Sequence, residues 1–123
     1  MEVATKISRI LLGLILLILG ANGFLNFLPY PELNPEAGAF MGAIASTKII
    51  FPLLGIIEVV FGILLMAKKA VPLALIVVFP ILVNAMIFHV SLDPQNMLFA
   101  AISFILNLFL IYHYWDNYKA LCK

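Results

Sequence analysis

The sequence predicts an all-α fold, a four-transmembrane-helix bundle with both termini inside and a short surface helix between spans one and two. Three observations carry that expectation. Hydrophobic residues make up 65% of the 123-residue chain and charged residues only 11%, with a mean hydropathy of +1.18. A soluble domain is about 45–50% apolar and about 25% charged. The apolar residues fall into four runs of membrane-spanning length, and the basic residues gather at alternate ends of those runs. A net charge of +1 offers no basic face to a polyanion, so the expected partner is the lipid bilayer and not nucleic acid. Residues 1–123 read as a single membrane domain.

Span one is read from Ile7 to Leu28. Lys6 and Arg9 ahead of an apolar stretch imitate a signal peptide, but the run continues past Ala21, beyond the 7–15 residues typical of a cleaved core. Leu28-Pro29-Tyr30-Pro31 then breaks the helix, because two prolines remove donors and hold the chain extended. Asn34-Pro35-Glu36 has the form of a helix start, with Asn as N-cap, proline in the first position and an acid in the first turn. The small residues from Ala37 to Thr47 continue it as a surface helix. Span two runs from Ile49 to Met66. The four residues Ala67 to Ala70 are short enough to require an antiparallel hairpin with span three, Val71 to Val90. Asp93-Pro94 repeats the cap-then-proline pattern before span four, Met97 to Tyr114. With the N-terminus inside, Lys6, Arg9, Lys68, Lys69, Lys119 and Lys123 are cytoplasmic and only Lys48 is outside. Trp115, Tyr112, Tyr114 and Tyr118 then form an aromatic anchor at the inner interface.

Polar side chains inside apolar runs carry the functional information. Glu58 lies near the middle of span two, where a central Asp, Lys or Arg costs roughly 2.5–3.5 kcal/mol. It is expected to face the bundle interior, protonated or hydrogen-bonded. Gly55 and Gly62 flank it at i−3 and i+4, so the three share one face and form a close-packing seam. Asn22 and Asn26 line one face near the outer end of span one. Asn84 and His89 lie in the outer part of span three, and Asn107 is near the middle of span four beside Ser103. Pro80 withdraws a donor from the Ile76 carbonyl and is expected to bend span three just below Asn84. Turned inward, Glu58, Asn22, Asn26, Asn84, His89 and Asn107 would make an outward-facing polar pocket. Asn and Ser in such helices also serve as interhelical glue, and His89 beside a loop also suits an interfacial position.

Several chemistries are not expected. Cys122 is the single cysteine, so the chain alone makes no internal disulfide, thiolate zinc site or CxxC redox pair. Ser91 and Asp93 near His89 sit on a short loop without visible oxyanion donors, and only Glu58 is deep enough to begin a metal site. The sequence shows no self-contained catalytic constellation.

The strings RILLGLILLILGANGFLNFLP (Arg9 to Pro29), PEAGAF (Pro35 to Phe40), PLLGIIEVVFGILL (Pro52 to Leu65) and VPLALIVVFPILVNAMIFHVSLDP (Val71 to Pro94) resemble the DoxX-like family of small membrane proteins. The last helix is similar only in hydrophobicity. The resemblance implies a four-helix, multi-pass protein of the bacterial inner membrane. Some members are subunits of thiosulfate:quinone oxidoreductase, and others are linked to membrane-associated oxidative-stress complexes. The expected role is an accessory or redox-associated membrane subunit whose pocket at Glu58 holds a quinone-like ligand. Membrane or redox proteins, or further copies of the chain, are its expected protein partners. Two alternatives remain open, a proton-coupled small-molecule transporter and a membrane scaffold.

Overall fold

The computed structural model describes residues 2–25 and 33–122, with the backbone alone over 23–25. Among the described residues all regular structure is helical: α1 (Glu2–Leu25), α2 (Pro35–Ser46), α3 (Ile50–Met66), α4 (Val71–Leu92) and α5 (Leu98–His113), with short 3₁₀ turns after α4 and α5. Helix α1 begins five residues before span one was predicted, because its first turns are polar and hydropathy does not register them. Its predicted end and the proline break after it lie outside the described residues. Asn34 caps α2 as expected, its Oδ1 accepting from the Ala37 N–H at 2.8 Å with Pro35 in the first helical position. Asp93 behaves differently from the prediction. Pro94–Asn96 closes a 3₁₀ turn, and α5 starts only at Leu98.

Helices α1, α3, α4 and α5 form a ring in which α1 packs on α3, α3 on α4, α4 on α5 and α5 on α1. Their directions alternate. Gly13 meets Gly62 and Gly20 meets Gly55, so α1 and α3 are antiparallel. Asn107 meets Leu75 while Phe104 stacks on Phe79, so α4 and α5 are antiparallel as well. The expected hairpin after α3 closes through Lys68, whose N–H donates to the Leu65 carbonyl while that of Lys69 donates to Leu64. Lys68 holds φ 57°, the left-handed position that ends a helix in this way and that glycine usually occupies.

The core is a stripe on α4 (Val71, Ala74, Leu75, Val78 and Leu82) at helical spacing, met by Leu12 and Leu16 of α1, Leu65 of α3 and Leu110 of α5. The outward faces are equally apolar. Leu11, Ile18, Leu53, Ile56, Ile63, Leu73, Ile87, Val90 and Ile105 are exposed. A helix hydrophobic on all sides is suited to lipid or to the inside of a larger assembly.

By length and composition, α1 and α4 can each cross a bilayer; their rise is about 36 Å and about 33 Å, against a hydrocarbon core of about 30 Å. Helix α3 has 17 residues and meets α2 at a break bent by 86°, and α5 has 16 residues. The structure thus supports two membrane-crossing helices, or three if α2 and α3 form one broken span. The corner between them is built by Thr47, whose Oγ1 accepts from the Ile49 and Ile50 N–H groups, and by Lys48 at φ 59°.

Candidate functional site

Glu58 shares the α3 face of Gly55 and Gly62, and that face meets α1. A Cβ placed on Gly20 would lie 2.7 Å from the Glu58 Cβ and 2.9 Å from the Gly55 carbonyl oxygen. The carboxyl-bearing side chain therefore leaves the α1–α3 seam half-buried, at the point where two glycines bring the backbones together. Spacing on α3 identified one side of this seam. The partner glycines on α1, Gly13 and Gly20, went unrecognised although they repeat the same seven-residue interval.

The other predicted site residues are dispersed. Asn22 is buried on α1, two residues beyond Gly20. Asn107 is fully buried in the core, its Nδ2 donating to the Leu75 carbonyl at 3.2 Å and its Oδ1 without a partner among the described residues. Leu75 belongs to the early turns of α4, so Asn107 lies toward the end of the bundle away from His89. Asn84 is exposed and donates to the Pro80 carbonyl at 3.0 Å, an i−4 bond within its own helix. Asn26 lies outside the described residues.

His89 joins a polar cluster at its own end of the bundle. Its Nδ1 is 3.2 Å from the Asp93 backbone oxygen and 3.4 Å from Asp93 Oδ2. Both neighbours are acceptors, so Nδ1 carries the proton. Asp93 is fully buried, and both its oxygens accept from Asn96 Nδ2, at 2.9 and 3.2 Å. Asn34 adds a bond from Nδ2 to the Leu92 carbonyl at 2.6 Å, and Phe40 stacks on Phe88. The Asn34 and Phe40 contacts fasten α2 to the last turns of α4, while His89, which the sequence offered as pocket lining, bonds to Asp93 just beyond its own helix.

The opposite end holds a feature that sequence reasoning missed. Arg9, read from sequence as a flanking charge, is buried and reaches across to α3. Its Nη1 donates to the Leu65 carbonyl and, at 3.0 Å, to the Met66 carbonyl. A cation on the last carbonyls of a helix satisfies orphan acceptors and complements the helix dipole. Nothing in the local sequence signals a bond between residues 56 positions apart. Beside it, Thr5 Oγ1 lies 3.4 Å from His113 Nδ1 of α5. Two cavities open at this end, and none of the predicted pocket residues lines either one. One is an apolar groove between α4, α5 and the C-terminal turns, bounded by Ile76, Phe79, Leu108, Ile111 and Trp115. The other is polar, with a volume of about 520 Å³, and lies among the ends of α1, α3 and α5.

Fold and surface together define an all-helical protein with apolar helices suited to a membrane. No family model matches the chain, and neither a curated protein nor a solved structure is significantly similar to it.

Proposed function

We propose that the chain is a DoxX-like protein of the bacterial inner membrane, crossing it four times with both termini inside and α2 at the outer surface. In this reading it is an accessory, redox-associated membrane subunit that holds a quinone-like headgroup beside Glu58. The supporting observation is the position of Glu58, half-buried on the α1–α3 glycine seam at mid-helix with its Cβ against the neighbouring helix. A carboxyl at such depth in a bilayer is expensive to keep without a purpose. In its protonated form it donates to a quinone carbonyl, with apolar walls around it and the Asn22 amide farther along the same helix pair.

Titration of the purified protein with a short-tailed benzoquinone and with tetraphenylphosphonium tests this. The quinone is expected to bind at neutral pH, to be retained by Glu58→Gln, which still donates, and to weaken about tenfold in Glu58→Leu. Cation binding that strengthens with rising pH and vanishes in Glu58→Gln would replace this reading with a proton-coupled transporter. Binding of neither ligand would leave a scaffold.

A further inference from the structure

We infer that the polar cavity at the α1–α5 end is a binding site for a phosphate-bearing anion, either a phospholipid headgroup or a free phosphate. Two separate segments supply its three cations: Lys6 and Arg9 from the first turns of α1, and Lys68 from the α3–α4 turn. His113 and Tyr114 close it from the end of α5, and Thr5 adds a hydroxyl. Glu2 also lines the rim, so three permanent positive charges face one negative charge across about 520 Å³.

The site is built rather than a chance gathering of surface lysines. Arg9 is 6% exposed, and its position is set by the α3 carbonyls that its Nη1 holds. No other atom of that guanidinium donates to protein among the described residues, which leaves N–H groups of a fixed, planar fork for an acceptor in the cavity. Lys68 occupies a left-handed backbone position, costly for any residue with a Cβ, in the α3–α4 turn that borders this cavity. The chemistry matches: clustered Arg and Lys donors with a hydroxyl recognise phosphate oxygens, and basic pockets between membrane helices take anionic headgroups. The inference does not depend on Glu58.

The test uses the full chain in detergent, titrated separately with phosphatidylglycerol, phosphatidylcholine and inorganic phosphate and read by native mass spectrometry. Phosphatidylglycerol is expected to bind more tightly than phosphatidylcholine, and the Lys6→Gln/Lys68→Gln variant to lose at least about tenfold in affinity. Both lysines are exposed, so folding should survive, and a circular dichroism melt checks it. The Lys69→Gln/Lys119→Gln variant removes the same charge from the same end outside the cavity and is expected to bind as the parent does. Competition by inorganic phosphate assigns the site to free phosphate, and its absence assigns it to the lipid headgroup. Equal loss in both variants, no loss in either, or no binding of any of the three probes overturns the inference.

Discussion

Tyr118 fastens the C-terminal turns to the bundle. Its ring is buried, and its hydroxyl donates to the Pro72 carbonyl, in the first turn of α4, at 2.6 Å. Burial, and then the neighbouring Tyr114, push the phenol above its ordinary value of about 10. The folded state therefore prefers the neutral phenol more than the unfolded chain does. That preference is fully present below about pH 10 and is lost as pH rises through the folded-state value. Below pH 10, Tyr118→Phe should cost about 1 kcal/mol, the worth of one hydrogen bond. Above it, the phenolate can no longer donate to Pro72, and the gap between parent and variant should close. Thermal melts in detergent from pH 8 to 11 measure this, and a constant gap would show that another group governs the alkaline limb.

At the scale of the helix pair, α1 and α3 approach through glycines seven residues apart on each, Gly13 with Gly20 and Gly55 with Gly62. A Cβ on Gly62 would stand 2.7 Å from the Gly13 carbonyl oxygen and 3.0 Å from the Leu17 nitrogen. Both are backbone atoms and neither can swing away. Gly62→Ala should therefore force the helices apart at a cost of about 1–3 kcal/mol, more than the roughly 1 kcal/mol of helix propensity that alanine adds. Gly42 on α2 has nothing within 4 Å of its Cβ position, so Gly42→Ala should raise the melting temperature or leave it unchanged. Opposite signs in paired melts support the seam, and the same sign for both removes it. The face carrying Glu58 was legible in the sequence because i−3 and i+4 neighbours must share a side of a helix. The pairing of that face with α1 was not, since spacing within one helix says nothing about which neighbour it meets. Asn84 and His89 show the same limit. Their depths were readable, but the i−4 bond to Pro80 and the buried Asp93 decided where their polar atoms went. Arg9 was visible as a charge and invisible as a cap.

Taken whole, the bundle gathers most of its basic residues at one end. Arg9 on the α3 carbonyls, Thr5 beside His113 and Tyr118 on Pro72 bring the start of α1, the α3–α4 turn and the end of α5 together. Lys6, Arg9, Lys68, Lys69 and Lys119 consequently share one end, while Lys48 follows α2 near the other, where Asp93 is buried. Such asymmetry is what membrane insertion reads, the basic end staying inside. The exposed aromatic Trp115 lies just after α5 at that same end, consistent with an interfacial depth. Cys122 is exposed, unpaired and close to this end, and it is the chain's single thiol, so it reports orientation without any engineered label. A membrane-impermeant maleimide should fail to modify Cys122 in intact cells and should modify it fully once the membrane is opened. Labelling in intact cells would place the basic end outside. The phosphate-binding cavity would then face the outer leaflet, and Lys48 would stand on the inner side.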